Sequence, residues 1–182
     1  GGGTGIGFGI ARELARLGAT VVLASRKEEH LAPAVEQLRS ETGREGAAHF
    51  HMLDVRDADA VEAMAAKVKA DHGRIDFLVN NAAGNFMART EKLTPNAFNA
   101  VVGIVLNGSF NCTQVFGKRW IEKKQPGNVL NIVTTYAAAN SGSGFVVPSA
   151  CAKAGVLALT TSLAVEWGKH NIRLNAIAPG PF

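Results

Sequence analysis

The sequence of 182 residues predicts an α/β fold with a doubly wound parallel sheet, and three observations carry that prediction. Short runs rich in β-branched residues alternate with longer stretches of helical period. Strands joined through helices in this way form right-handed crossovers, which place helices on both faces of a sheet. A glycine-rich segment leads directly into the first helical stretch. Because no repeat or composition shift separates a second domain, we expect one domain over residues 1–182.

Each expected element follows from its local pattern. The expected strands are 20–24, 48–53, 75–80, 128–134 and 172–177. Their near-continuous apolar character predicts burial on both faces. The expected helices are 8–17, 31–42, 57–72, 95–123 and 149–169. Gly18, Gly43 and Gly73 stand where a helix ends in a left-handed cap, and Pro33 fits only a first helical turn. A glycine loop of this kind normally follows a strand, so we expect a missing first strand before residue 1 and further chain after residue 182.

Composition narrows the function classes. The formal net charge is +4, and the basic residues are scattered, which argues against nucleic-acid binding. No uninterrupted apolar run approaches the roughly 18 residues of a membrane span, so a soluble protein of a bacterial cytoplasm or an organelle matrix is expected. Cys112 and Cys151 lie too far apart for a CxxC motif, and no disulfide framework is readable. His49 and His51 project from one side of a strand, but no third ligand is visible, so no metal site is predicted.

The segment Gly1-Gly2-Gly3-Thr4-Gly5-Ile6-Gly7 runs into an amphipathic helix. Small residues there allow backbone amides and a helix N-terminus to approach a pyrophosphate. The segment lacks the Gly-Lys-Ser/Thr ending of a nucleoside-triphosphate loop, which favours a dinucleotide. The alternative is that the glycines form only a flexible terminus.

The residues after the expected strand 20–24 indicate which dinucleotide is bound. About twenty residues beyond the glycine loop, an NAD-binding domain places Asp or Glu against the ribose diol. This chain has Ser25, Arg26 and Lys27 at that place. A guanidinium suits a 2′-phosphate, so we expect NADP(H) as the cofactor. The alternative is that these charges are simply solvated.

Three further motifs carry a family resemblance. Asp54-Val55, Asn80-Asn81-Ala82-Ala83-Gly84 and Pro179-Gly180 occur at the intervals of the short-chain dehydrogenases/reductases, whose fold is of the Rossmann type. In that family the aspartate meets the adenine, the Asn-Asn-Ala-Gly stretch supports the cofactor site, and the Pro-Gly turn lies beside the nicotinamide. The resemblance covers essentially the whole sequence.

One departure from that family is specific. The family normally has Tyr-x-x-x-Lys on the helix after the fifth strand, and this chain has Ser149-Ala150-Cys151-Ala152-Lys153. The single tyrosine, Tyr136, stands about where the family keeps its catalytic serine. This exchange, together with residues 82–86 and 143–149, resembles the NADPH-dependent 2,4-dienoyl-CoA reductases of the type that uses tyrosine.

The residues themselves support acid–base chemistry. Ser149 and Lys153 are four apart, so they share one helix face and can both reach the loop that carries Tyr136. An ammonium near a phenol lowers the pKa of the phenol and strengthens it as a donor. The resemblance implies that Lys153 also holds the nicotinamide ribose. It implies that Tyr136 and Asn85 bind the thioester oxygen and that Ser149 orders this group.

Other side chains receive roles by resemblance, each with a plainer alternative. Asn107 is implied in a helix bend and proton relay, or else it bonds a local carbonyl. Phe86 and Phe145 flank the site and line an acyl slot, or else they pack in the core. Arg56 and Thr94 are implied in binding the CoA part, or else they are solvated. Cys151 has no histidine beside it in the motif and is expected to be a small packed side chain rather than a nucleophile.

The leading hypothesis is an NADPH-dependent reductase of 2,4-dienoyl-CoA thioesters that gives 3-enoyl-CoA in fatty acid degradation. One alternative keeps the cofactor and makes the substrate a ketone, an alcohol or a 2-enoyl thioester. Another is a protein that binds NADPH without catalysis, because the usual tyrosine is replaced. By resemblance, the helices near 95–123 and 149–169 pair between subunits, so a homotetramer is expected.

Overall fold

The computed structural model describes residues 1–137 and 141–180. The chain divides into two compact units, Gly1–Asp54 and Val55–Phe182. Strands and helices alternate in both units, and the strands are parallel, which confirms the α/β class. The prediction of one domain over residues 1–182 stays a prediction. Residues 181 and 182, which end the Pro-Gly-Pro-Phe sequence, lie outside the described residues.

The first unit contains two strands and two helices. Its elements are α1 (Gly5–Arg16), β1 (Val21–Ser25), α2 (Glu28–Thr42) and β2 (Ala48–Met52). β1 pairs with β2 in parallel, from Val21 opposite Ala48 to Ser25 opposite Met52. Apolar residues of all four elements form one core, whose largest fully buried members are Leu31 and Leu38.

The second unit carries three strands in the order β3-β4-β5. Its elements are α3 (Ala58–His72), β3 (Phe77–Asn80), α4 (Pro95–Val102), a π-helical turn (Gly103–Asn107), α5 (Gly108–Glu122), β4 (Gly127–Ile132), α6 (Val147–Trp167) and β5 (Ile172–Ile177). Asn80 lies opposite Asn131, and Ile132 lies opposite Ile177, so the carboxyl ends of the three strands meet at one edge of this sheet. Ligands of open α/β sheets bind at that kind of edge.

Two local expectations need correction. α2 begins at Glu28, because Glu28 and Glu29 favour a helix N-terminus, so Pro33 lies in the helix interior and not in the first turn. Burial on both faces is wrong for β5, where buried and exposed residues alternate, because α6 packs against one face of this strand. The expected glycine caps are better matched: Gly18, Gly43 and Gly73 all have positive φ.

Candidate active site

Tyr136, Ser149 and Lys153 are positioned by β4 and α6. Tyr136 lies in a single 3₁₀ turn that follows β4, and Ser149 lies in the first turn of α6, next to Pro148. The Tyr136 hydroxyl and Ser149 Oγ are hydrogen-bonded at 3.3 Å. Lys153 is one turn further along α6, and its Nζ donates to the carbonyl of Ile132 at the end of β4. The structure therefore brings the phenol and the serine into contact and fixes the ammonium against the same strand end.

The environment of Lys153 lowers the pKa of its side chain. The side chain is only 7% exposed. Burial lowers the pKa of Lys153 from 10.5 to about 8, because the charged form loses solvation. At neutral pH the group is still mainly an ammonium, and it holds its proton less tightly than a surface lysine. A lysine whose pKa is lowered by burial is typical of functional sites.

A buried chain of polar side chains supports this site, and the sequence analysis did not find it. Asn80 Nδ2 donates to Thr113 Oγ1 and to Asn131 Oδ1, each at 2.8 Å. Asn131 Nδ2 donates to Thr160 Oγ1 at 2.8 Å, and Thr160 donates to the carbonyl of Val156. The four side chains are buried. We name them the polar chain, and they join β3, α5, β4 and α6.

The polar chain reaches the site through sequence neighbours. Asn131 directly precedes Ile132, whose carbonyl accepts from Lys153. Thr160 lies seven residues after Lys153, about two turns along α6, on a similar face of that helix. The sequence alone did not single out Thr160, because Thr161 and Ser162 follow it directly and are equally polar.

The loop after β3 carries Asn85 and Phe86 at the carboxyl end of the sheet. Asn81 and Ala82 are half-buried, whereas Asn85 and Phe86 are exposed. The backbone amide of Ala88 donates to the carbonyl of Phe145 at 3.0 Å, which joins this loop to the segment before α6. Asn85 and Phe86 are thus in a loop that is tied to the segment leading into Ser149.

Asn107 closes the π-helical turn between α4 and α5, and its side chain is exposed. A π-helical turn inserts one extra residue into a helix and is frequent at functional sites. The predicted long helix over 95–123 is therefore present as three helical pieces, and the interruption ends at the residue singled out as a relay.

Two glycines of the glycine-rich segment in the first unit stand where a side chain would be strained. A Cβ added at Gly3 would overlap the backbone carbonyl of His30, and Gly5 has φ +54°, so neither position accepts a larger residue without strain. α1 begins at Gly5, three residues earlier than expected, and Thr4 is its N-cap residue. The N-terminal amides of α1 therefore lie within this segment.

Ser25 ends β1, and Arg26 follows it beside that segment. The backbone amide of Gly2 donates to the carbonyl of Ala24, at 3.3 Å. Ser25 is half-buried, Arg26 is exposed, and Lys27 forms an ion pair with Glu29. Arg26 therefore presents its guanidinium to solvent next to the loop that carries Gly2.

The other residues expected to bind the cofactor or the CoA part lie mostly in loops and at element ends. Asp54 and Val55 are half-buried, and Asn111 of α5 donates to the Val55 carbonyl at 3.0 Å. Arg56 is exposed. Thr94 caps α4, since its Oγ1 accepts from the amide of Ala97 at 3.1 Å, a structural role that leaves its hydroxyl proton available. Pro179 and Gly180 follow β5 outside regular structure.

The expectation for Cys151 needs correction. Cys151 is exposed, so the expectation of a packed side chain is wrong, because its neighbours Ala152 and Lys153 occupy the buried side of α6. Among residues 1–137 and 141–180, no group of three or more His, Cys, Asp or Glu side chains could hold a metal ion.

Two helical stretches, Pro95–Glu122 and Val147–His170, have the length and apolar composition of a membrane span. Half of the most apolar part of the first and a third of that of the second are buried inside the protein. Core helices of soluble proteins share these properties, so the finding is weak support for a membrane span.

The family model for short chain dehydrogenases matches residues 1–182. The chain belongs to this family. A probable 2,4-dienoyl-CoA reductase of Bacillus subtilis, named as producing (2E)-enoyl-CoA, is 48% identical over all of this chain and 70% of its own length. A probable 2,4-dienoyl-CoA reductase 3 of Caenorhabditis elegans, named as producing (3E)-enoyl-CoA, is 45% identical over all of this chain and 58% of its own length.

The chain thus spans little more than half the length of some curated relatives that it matches. The recognised resemblance and the doubly wound, Rossmann-type fold of the short-chain dehydrogenases are confirmed. A crystal structure of a short chain dehydrogenase from Bacillus anthracis has a TM-score of 0.91 and 47% identity, over 99% of this chain and 71% of that chain.

Solved structures of similar family members hold either form of the dinucleotide. A metagenomic short-chain oxidoreductase in complex with NADP has a TM-score of 0.88 and 32% identity, over 100% of this chain and 80% of its own. A xylitol dehydrogenase bound to NAD+ has a TM-score of 0.91 and 29% identity, over 98% of this chain and 67% of its own. Solved members of this family therefore include proteins that hold NADP and proteins that hold NAD.

Proposed function

We propose that this protein is an NADPH-dependent reductase of 2,4-dienoyl-CoA thioesters. The observation that carries the proposal is the contact between the lone phenol, Tyr136, and Ser149, one turn before the buried Lys153. The phenol reaches α6 from the loop after β4, whereas the family normally carries its tyrosine on this helix. The names of several relatives support the same substrate class.

The residues present fit a dinucleotide. The space beside Gly5 is open, which would let the backbone of the glycine loop approach a pyrophosphate, and the first amides of α1 would face its charge. Arg26 would bind the 2′-phosphate that distinguishes NADPH from NADH. By family resemblance, Asp54 and Val55 would contact the adenine. Other proposed cofactor contacts are Gly1, Thr4, Ile6, Gly7, Ser25, Asn81, Ala82, Lys153, Pro179 and Gly180.

The protein's own groups act on the substrate carbonyl. When bound, NADPH supplies a hydride, which we assign to the distal end of the conjugated diene. Negative charge then develops on the thioester oxygen, where Tyr136 and Asn85 would donate hydrogen bonds. Ser149 would orient the Tyr136 hydroxyl, and Lys153 would favour its proton donation. Asn107 remains a proposed relay residue. We assign Arg56, Phe86, Thr94 and Ser149 to substrate contacts.

The position of the final double bond is part of the proposal. The dienolate carries charge on the oxygen, on the α carbon and on the γ carbon. Protonation of the α carbon by water would give 3-enoyl-CoA, and protonation of the γ carbon would give 2-enoyl-CoA. We propose that 3-enoyl-CoA is the product. The relatives include proteins named for each of the two products.

The test follows NADPH absorbance with a 2,4-dienoyl-CoA, a 2-enoyl-CoA and a panel of ketones, and identifies the product by nuclear magnetic resonance. Oxidation of NADPH with the dienoyl-CoA and a double bond at carbon 3 would support the proposal. Turnover of ketones or of the 2-enoyl-CoA alone would replace it by another family activity. Binding of NADPH without turnover of any substrate would indicate that the protein binds the cofactor without catalysis.

We also propose a homotetramer in which α5 and α6 pair between subunits. Exposed apolar side chains on these helices, Phe110 and Val165, support this arrangement. Relatives include bacterial proteins and proteins named as peroxisomal, so we propose a bacterial cytoplasm or an organelle matrix as the compartment. Light scattering of the purified protein would test the assembly.

A further inference from the structure

Three large apolar side chains are exposed on two adjoining loops near Tyr136. Phe86 is 48% exposed, Met87 is 81% exposed and Phe145 is 54% exposed. Apolar side chains that are exposed together, rather than singly, tend to mark a binding surface. The amide of Ala88 donates to the carbonyl of Phe145 at 3.0 Å, so a backbone hydrogen bond holds the two loops together. We call Phe86, Met87 and Phe145 the apolar rim.

The backbone at Phe145 is strained. Its φ is +66°, in the left-handed region that bulky residues rarely adopt. Gly142 and Gly144 stand beside it and would adopt that conformation at little cost, yet the phenylalanine occupies the position. Strain of this kind is retained where the surrounding structure fixes it and often lies at ligand sites. At Phe145 the turn aims the carbonyl at Ala88 and leaves the aromatic ring exposed.

The apolar rim lies beside the groups proposed to bind the thioester. Phe86 directly follows Asn85, and Phe145 precedes Ser149 by four residues. Ser149 is in turn hydrogen-bonded to Tyr136. A molecule whose carbonyl oxygen accepted from Tyr136 and Asn85 would therefore have part of its length against the rim. The remainder of an acyl-CoA offers two parts, a polar nucleotide and an apolar chain, and the rim matches the chain.

We infer that Met87 and Phe145 bind the hydrocarbon chain of the acyl-CoA and set the preference of the protein for chain length. This inference rests on the proposed function and deepens it. A protein partner is disfavoured, because three side chains fall well short of the roughly 800 Å² that each side of a stable protein interface buries. An unbranched, flexible methionine at the outermost position suits chains that differ in length.

The expected effect depends on the number of carbons in contact with the rim. Each methylene group that leaves water gains about fourfold in binding. A six-carbon chain ends close to its thioester, whereas a ten-carbon chain reaches further along the rim. Binding should therefore strengthen with chain length in the unaltered protein, and loss of the rim side chains should weaken mainly the longer ligand.

The test measures dissociation constants of saturated hexanoyl-CoA and decanoyl-CoA by calorimetry, since these probes bind without reacting. The variants are Met87→Ala and Phe145→Asn, because asparagine tolerates a left-handed backbone and replaces the apolar ring by a small polar amide. We expect decanoyl-CoA binding to fall by about tenfold or more and hexanoyl-CoA binding to change by less than about twofold. Leu17→Ala is the control, because Leu17 lies in the first unit and is about as exposed as Met87. Both dissociation constants should stay unchanged in this variant.

Two results would overturn the inference. One is an unchanged ratio of the two dissociation constants in both variants, and the other is an equal loss for the short and the long ligand. A parallel assay of 2,4-hexadienoyl-CoA reduction separates this inference from the proposed function. If the unaltered protein reduces no dienoyl-CoA and the binding ratio still falls in the variants, the acyl-binding rim stands and the reductase proposal fails.

Discussion

The surroundings of Lys153 in the second unit and of Arg26 in the first unit are built in opposite ways. Lys153 is buried and donates a hydrogen bond to the carbonyl of Ile132. The residue before Ile132 belongs to the polar chain of Asn80, Thr113, Asn131 and Thr160. Arg26 is exposed in a loop after β1. A group that takes part in bond making needs a fixed position, whereas a group that selects a charged ligand needs only its charge in the right region.

The largest expected effect is at the phenol. Tyr136→Phe keeps the ring and removes the hydroxyl that contacts Ser149. Since one preorganised donor at a developing oxyanion is worth about 10²–10³ in rate, kcat for dienoyl-CoA should fall by about that factor. NADPH binding should be unchanged. Steady-state kinetics and fluorescence titration of NADPH measure the two quantities.

Ser149→Ala is the matched variant for that experiment. It leaves the phenol in place and removes only its hydrogen-bond partner, so the loss of kcat should be smaller than in Tyr136→Phe. Unchanged turnover in Tyr136→Phe would show that another group donates to the substrate oxygen.

The second effect is on stability and comes from the charge of Lys153. Burial lowers its pKa to about 8 from 10.5, so the unfolded chain binds more protons than the folded chain between these values. The free energy of unfolding should therefore rise with pH between about 8 and 10.5. Below this range Lys153 is charged in both states, and the cost of burying that charge lowers the free energy of unfolding. Between about pH 7.5 and about pH 10, the contribution is on the order of 2 kcal/mol.

Lys153→Met isolates that contribution. Urea unfolding of both proteins at the two pH values gives the difference, and subtracting the methionine variant removes the effect of all other titrating groups. The unaltered protein should gain stability relative to the variant as pH rises. A constant difference at both pH values would show that the folded-state pKa of Lys153 is ordinary.

The third effect tests the exposed charge. Arg26→Ala should weaken NADPH binding by about 1.5–3 kcal/mol, the usual worth of a hydrogen bond to a charged group, and leave NADH nearly untouched. Lys27→Ala is the control, since Lys27 already pairs with Glu29. Thermal stability should not change in either variant, because both side chains are exposed. Equal losses for NADPH and NADH would remove Arg26 from cofactor selection.

The two regions also differ in how far the sequence predicted them. The order of strands and helices was readable because apolar periodicity is dense along the whole chain. The start of α2 was not, because Glu28 and Glu29 extend the helix beyond its apolar part and leave Pro33 inside it. Sequence spacing indicated that Ser149 and Lys153 share a face of α6, since helical geometry alone sets that relation.

The polar chain and the bond from Lys153 to Ile132 were beyond sequence reasoning, because they depend on the register of β3, β4 and α6. Asn80 and Asn131 are distant in sequence and meet only because they lie opposite each other in a parallel ladder. The left-handed backbone at Phe145 was equally hidden, since neighbouring glycines are the residues that sequence rules would assign to it.

The smallest effect sharpens the comparison within one helix. Thr160→Val removes the hydroxyl that accepts from Asn131 and leaves a buried amide unpaired, so the free energy of unfolding should fall by about 1–3 kcal/mol. Thr161→Val is the matched control, because the Thr161 hydroxyl is exposed and bonds only to carbonyls of its own helix. Its effect should stay within about 0.5 kcal/mol. If urea unfolding gave equal losses, the helix itself rather than the polar chain would account for the stability around Lys153.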